Sequence, residues 1–238
     1  IVRDGFERPH QTDTKGGREL VTEVDRASEE AVVTAILAEC PQDLIIAEET
    51  APEQAESHRV WIVDPLDGTN NYAHGYPFFS IAIAVEEDRA LRAGVVYDPL
   101  RDEMFVGEAG RGASLNGDSI RVSHSDRLIR SLVATGFPYD RSESASNNLS
   151  NLNRLIVAVR GIRRGGSAEL DLVYVGCGRL DGFWESGLKT WDVSAGGIIV
   201  REAGGTVTNI DGPDWDHRRG DIIASNGLIH AELAGLIE

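Results

Sequence analysis

Four acidic segments carry the residue types that could hold a divalent cation against a phosphate. The first is WIVDPLDGT at residues 61–69, where an apolar run stops at Asp64 and a second acid, Asp67, follows three residues on. Pro65 fixes its own φ and restrains Asp64, so the first carboxylate is held in place. Gly68 lets the backbone approach a ligand closely. A helix starting at Gly68-Thr69 offers free N–H groups to phosphate oxygens. The other segments are Asp25 in VTEVD, Glu48-Glu49 in IIAEET and Asp192 in TWDVSAGG. Mg2+ takes oxygen ligands and keeps water or substrate phosphate in its remaining positions. Three or four carboxylates with one backbone carbonyl suffice for two such ions. Without a cation, carboxylates in one pocket repel and raise each other's pKa. Taken singly, each segment has a plainer role: an acidic surface turn, a helix N-cap at Asp25 or Asp192, an exposed pair at Glu48-Glu49.

Several of these acids end an apolar strand or open a helix, where open α/β folds gather ligand sites. Residues 19–25 alternate as a strand, and Asp25 reads as the N-cap of a helix over 26–39 with Ala31, Val32, Ala35 and Ile36 on its apolar face. Pro41 ends that helix, and residues 44–47 form a strand running into Glu48. Residues 79–85, 93–97, 103–107 and 119–123 read as strands of an antiparallel sheet, with a hairpin turn at 110–112. Beyond residue 128 strands and helices alternate: strands at 131–135, 181–185, 206–208 and 222–224, helices at 152–159, 168–176, 193–203 and 228–236. Residues 140–150 are polar and read as a mobile connection. The chain therefore divides into an α+β part, 1–128, with the antiparallel sheet and the first acidic motifs, and an α/β part, 129–238, with the last acid.

Composition narrows the function classes. The formal net charge is −16 over 238 residues, which disfavours nonspecific contact with nucleic acid or anionic membrane. An anionic substrate stays open if metal ions neutralise the pocket locally. The only lysines are Lys15 and Lys189; codon bias and adaptation to high salt both explain an acidic, Lys-poor surface. No apolar run approaches the roughly 20 residues that span a bilayer. Cys40 and Cys177 lie far apart with no C-x-x-C spacing, which suits free thiols in a reducing cytoplasm.

The joint occurrence of DPLDGT and the distant WDVSAG makes the chain similar to the inositol monophosphatase family, within the wider lithium-sensitive, Mg2+-dependent phosphomonoesterases that include fructose-1,6-bisphosphatases. The resemblance runs from Glu19 to the C-terminus. It implies a layered α-β-α-β-α sandwich, usually a homodimer, acting on a small-molecule phosphate monoester with two or three Mg2+ ions. By motif, Glu48 resembles a ligand of the first ion that orients the attacking water, with Glu49 beside it. Asp64 resembles the carboxylate bridging two ions, the Leu66 carbonyl a ligand of the first, and Asp67 and Asp192 ligands of the second. Gly68 and Thr69 would offer N–H groups to phosphate, and the Thr69 hydroxyl would orient the nucleophile with Asp25 polarising it from behind. Gly166, Ser167 and Ala168 match the segment lining the sugar or inositol pocket, and Glu185 the residue binding substrate hydroxyls. The implied reaction is in-line phosphoryl transfer to a metal-activated water, without a covalent intermediate.

Inositol-1-phosphate is the first-choice substrate. Fructose-1,6-bisphosphate, histidinol phosphate and 3′-phosphoadenosine 5′-phosphate compete within the family. Some bacterial members also act as RNA-polymerase or antitermination partners, which leaves a protein-interaction role open. Against the family pattern, the residues before Asp25 imply a first helix that is shortened or absent, Lys15 lies ten before Asp25, and Gly165-Gly166 replaces a more usual single glycine.

Overall fold

The computed structural model describes residues 1–6, 8, 10, 12–16, 19–50, 57–144 and 147–238. The chain begins with a single turn, α1 (Val2–Gly5), and a hairpin, β1 (Thr12–Gly16) and β2 (Glu19–Thr22). Helix α2 (Glu23–Glu39) follows, then β3 (Leu44–Ala47), β4 (Arg59–Asp67) and the short α3 (Thr69–Ala73). Next come β5 (Ser80–Glu87), β6 (Ala90–Asp98), β7 (Glu103–Glu108), β8 (Gly112–Leu115) and β9 (Asp118–Ser119). After a 3-10 turn at Leu128–Arg130 come β10 (Leu132–Thr135), α4 (Leu149–Leu155), β11 (Gly161–Arg163) and α5 (Ala168–Gly176). The chain closes with β12 (Gly182–Ser186), α6 (Ser194–Glu202), β13 (Thr206–Thr208), β14 (Asp221–Ser225) and α7 (His230–Ala234).

Strands β3–β9 form one sheet in sequence order, antiparallel except for β3 beside β4. The second sheet runs β11-β10-β12-β14-β13, with β10 parallel to both its neighbours and β14 antiparallel to both of its own. Side-chain alternation fixes what each face meets. Val60, Ile62, Ala82, Ala84, Val96 and Phe105 of the large sheet pack on Leu170 and Val173 of α5 and Ala195 and Ile199 of α6. On its other face, Trp61, Val63 and Ile83 pack on Val32 and Ile36 of α2. The second sheet presents Ala134, Phe183, Ile222 and Ala224 to Leu172, Val175 and Val200 of the same two middle helices. Its far face, with Val133, Trp184 and Ile223, is covered by Leu155, Val159, Ile229 and Leu233. The order is helix, sheet, helix pair, sheet, helices: the expected α-β-α-β-α sandwich. α6 lies so close to the large sheet that a Cβ on Gly94 would stand 2.7 Å from the Ala195 carbonyl oxygen.

Several expectations are corrected. α2 begins at Glu23, with Thr22 as its N-cap: the Thr22 hydroxyl accepts from the Val24 amide (3.1 Å), and the Asp25 carboxylate accepts from the Thr22 amide (2.8 Å). Asp25 is thus the third helical residue of a capping box. The strand expected at 119–123 shrinks to two residues, because Ile120 and Val122 instead pack on the core beneath α6 and the Val122 amide donates to the Ala203 carbonyl. The helix expected at 152–159 starts at Leu149, inside the connection read as mobile, and ends at Leu155. The final helix is one turn shorter than its apolar pattern, and α6 starts at Ser194 with Val193 as N-cap, so Asp192 stands outside the helix. Lys15 lies in β1. Both cysteines are free and half-buried. Among the described residues no helix is long and apolar enough to cross a membrane.

Candidate functional site

β4 runs in register with β5 to Asp64↔Ala82, then bulges and rejoins at Asp67↔Ser80. The turn expected at Pro65-Leu66 is therefore a bulge, the place where a strand tolerates proline. It puts both carboxylates at one strand end. The Asp64 carboxylate accepts from the Leu66 amide at 3.0 Å, and Gly68 then takes φ 95°, a left-handed conformation suited to glycine, to turn the chain into α3. The Thr69 hydroxyl donates to the Asp25 carboxylate at 2.7 Å and lies 3.0 Å from the Leu66 carbonyl. Asp25 sits fully buried behind Thr69.

Asp67 crosses to the second half of the chain. Its carboxylate accepts from the Ala168 amide (3.1 Å), the Glu169 amide (2.9 Å) and the hydroxyls of Ser80 (3.3 Å) and Ser167. It thereby caps the start of α5, where unpaired N–H groups favour an anion. Glu169 does the same for α6, accepting from the Ala195 amide at 3.1 Å and from the Gly196 amide. The Asp192 carboxylate accepts from the Lys189 amide at 2.6 Å. That loop is tied down by His217, whose Nδ1 meets the hydroxyls of Thr190 (2.8 Å) and Ser194 (3.0 Å) while Nε2 meets Glu86 (3.0 Å).

These segments open on one cavity of about 180 Å3. Glu48, Asp64, Asp67, Gly68, Thr69, Gly166, Ser167, Ala168, Glu185 and Asp192 all line it. Asp25 and Leu66 stand behind that wall, and Glu49 points its amide toward α2. Asp171, Glu19, Tyr139 and Lys189 also line the cavity, and no motif marked them as site residues. Arg163-Arg164, which by sequence reads equally as a pair steering an anionic substrate or as a solvated pair, divides: Arg164 reaches the cavity, while the Arg163 guanidinium donates to the Ile162 carbonyl. Asp171 and Glu169 had one sequence signal, two acids in the first turn of an otherwise apolar helix. Trp61 donates to Asp43 and His74 meets the Asn70 carbonyl, both away from the cavity.

The electrostatics are those of crowded anions. Burial first, then Glu48, Asp67 and Asp192, push the Asp64 carboxyl well above the ordinary aspartate value. Burial and Glu48 do the same to Asp192, and burial and Asp67 to Asp171. Burial lifts Asp67 too, against the stabilising hydrogen bonds from Ser167 and the α5 amides. Glu185, 8 % exposed, is pushed up to about 8 by burial, with Arg164 pulling the other way. Among the described residues no three acidic, imidazole or thiol side chains already close on a common point as a metal shell; each of Asp64, Asp67 and Asp192 turns an oxygen to a nearby N–H. The donor set still suits a hard divalent cation. Among the lining residues it offers several carboxylates and neither sulfur nor imidazole, and its buried like charges are relieved by a cation.

The fold and motifs recur in known proteins. The chain is 44% identical over 217 residues, 91% of its length and 76% of the relative's, to an inositol-1-monophosphatase of Synechocystis. It is 39% identical to the Nus factor SuhB of Pasteurella multocida, covering 100% of this chain and 90% of that one. The solved inositol monophosphatase of Anabaena superposes with a TM-score of 0.87 at 45% identity, covering 89% of this chain and 84% of that one. A more distant solved IMPase/NADP phosphatase, 25% identical with a TM-score of 0.85 over 95% of this chain and 85% of its own, is complexed with Mg2+ and phosphate. A model of the inositol monophosphatase family matches residues 1–238, and the chain belongs to that family.

Proposed function

We propose that this protein is a Mg2+-dependent phosphomonoesterase acting on inositol-1-phosphate or a similar small polyol phosphate. One observation carries the reading: Glu48, Asp64, Asp67 and Asp192, drawn from three remote segments, line a single cavity with the Gly68-Thr69 helix start and Glu185. In this reading Glu48, Asp64, Asp67, Asp192 and the Leu66 carbonyl hold two or three divalent ions. Those ions would activate water as a nucleophile near neutral pH and neutralise the departing ester oxygen. The Thr69 hydroxyl donates its hydrogen bond to Asp25, which leaves its oxygen lone pairs to accept from the attacking water and orient it. The Gly68 and Thr69 amides hold phosphate oxygens, and Arg164 and Lys189, both exposed at the cavity, draw in the anion. Glu185, whose carboxyl pKa is raised by burial in the metal-free protein, meets substrate hydroxyls. Gly166, Ser167 and Ala168 form the wall beside Gly68 and Asp67. Phosphate release from a panel of monoesters, with Asp64→Asn as control, tests the reading; equal or better turnover of histidinol phosphate would overturn the inositol assignment.

We further read residues 1–128 and 129–238 as two subdomains, each built on one of the large sheets. We read the protein as a cytoplasmic, lithium-sensitive homodimer. Sedimentation and inhibition by LiCl test the last two properties. A second reading rests on the full-length similarity to a protein named Nus factor SuhB: this chain would also bind a basic partner of the transcription apparatus. Recovery of no transcription factor in a pull-down from native extract would leave the enzyme reading alone.

A further inference from the structure

Helix α2 places Asp25, Ser28 and Glu29 on one face, since residues three and four apart are neighbours on a helix. All three are buried, at 0, 5 and 4 % exposure. Each holds a different part of the acidic constellation. Asp25 accepts from the Thr69 hydroxyl at 2.7 Å, and Ser28 donates to the Pro65 carbonyl at 2.8 Å. Glu29 accepts from the Glu49 amide at 2.8 Å and from the Thr50 hydroxyl. A buried carboxylate is costly unless both oxygens find donors, and here the 49–50 turn supplies them. β3 stops at Ala47, where its ladder with β4 ends at Ala47↔Val63, so Glu48 projects from the segment just beyond the strand. Glu29 does not line the cavity.

We propose that Glu29 is a positioning residue that fixes the distance between Glu48 and the Asp64–Asp67 strand end, and thereby sets affinity for the divalent cation. The inference rests on the proposed role of Glu48 as a metal ligand. The β3–β4 ladder sets the spacing as far as Ala47↔Val63, and Ser28 and Glu29, at consecutive positions of one rigid helix, hold the two acid-bearing segments just beyond it. Loss of Glu29 would strand the Glu49 amide and let the turn drift, while Asp64 and Asp67 stay on their strand.

Isothermal titration of Mg2+ into wild type, Glu29→Ala, Glu29→Gln and Ile36→Ala tests this, with thermal denaturation in chelator alongside. Ile36 packs α2 on Ala47 and Val63 of the sheet, while the hydrogen bonds to residues 49 and 50 come from Glu29, so Ile36→Ala reports loss of helix packing with those bonds kept. Glu29→Ala is expected to weaken Mg2+ binding at least about tenfold, as loss of an outer-shell partner does. Ile36→Ala keeps wild-type affinity at a comparable loss of Tm. In Glu29→Gln the amide oxygen still accepts from the Glu49 amide, and affinity stays within about threefold of wild type. Excess Mg2+ restores most of kcat to Glu29→Ala. Wild-type Mg2+ affinity in Glu29→Ala, with only Tm reduced, would overturn the proposal. Should Glu29→Ala fail to fold, Thr50→Val removes one of the two contacts from an exposed position; an affinity loss of about threefold supports the proposal and no change overturns it. Failure of the wild type itself to bind Mg2+ would refute the proposed function instead, and this inference with it.

Discussion

Replacing Glu185 with glutamine is expected to stabilise the metal-free protein at alkaline pH while impairing catalysis. Glu185 is buried at the end of β12, and its carboxyl is pushed from the ordinary glutamate value of 4.5 to about 8, chiefly by burial. A raised folded-state value means that the native protein binds more protons than the unfolded chain. The stability tied to this group is complete below pH 4.5 and is lost as the pH rises through about 8. At 1.36 kcal/mol for each pH unit between the two values, the full loss comes to about 5 kcal/mol. Glutamine mimics the protonated acid at every pH and carries no such loss. Urea denaturation in excess chelator from pH 4.5 to 9 reads the difference directly. Asp64, Asp171 and Asp192 contribute slopes of the same sign to both proteins, so the difference between the curves reports Glu185 together with its charge coupling to Asp171 and Asp192. Equal stability is expected at pH 4.5, with a gap opening to about 5 kcal/mol above pH 8. Coincident curves at all pH values would refute the argument, since Glu185 would then ionise like a solvated carboxylate.

Asp64→Asn removes a buried charge from the shared cavity and is expected to lower kcat at least about a hundredfold in saturating Mg2+, read by phosphate release. Gly136→Ala would bring a Cβ to 2.0 Å from the Glu185 carboxylate and force it aside. The KM for a polyol phosphate is expected to rise about tenfold, with kcat changed far less, the signature of a lost substrate hydrogen bond; an unchanged KM in steady-state kinetics would remove Glu185 from the substrate contact.

Much of the site was legible because its geometry is local. Pro65 and Gly68 act within a few residues of the acids they orient, so WIVDPLDGT announces a constrained strand end, although the constraint at Pro65 is a bulge where a turn was expected. The sandwich order was legible from the resemblance, and the antiparallel large sheet from period-2 alternation in residues 79–107. What remained hidden depends on contacts across many residues. Asp67 finds its donors a hundred positions away at the start of α5, and nothing near it says so. Arg163 and Arg164 are indistinguishable in sequence, and the path from β11 to α5 decides which one meets the cavity. Ile120 and Val122 alternate like a strand, but only the Ile120 amide reaches β8, at Ala113, while the Val122 amide turns to Ala203. The Thr22–Asp25 capping box was misread because Asp25 carries two signals at once, one for the helix start and one for Thr69. Glu29 looks like any surface acid on a helix until the 49–50 turn folds against it.

The claim beneath all of this is that the acids at the cavity work through divalent cations. Phosphate release from inositol-1-phosphate by the wild-type protein, followed through addition of excess chelator and then excess Mg2+, tests it most directly. The account predicts hydrolysis that stops with the chelator and returns with Mg2+. Hydrolysis that continues unchanged in chelator would contradict it.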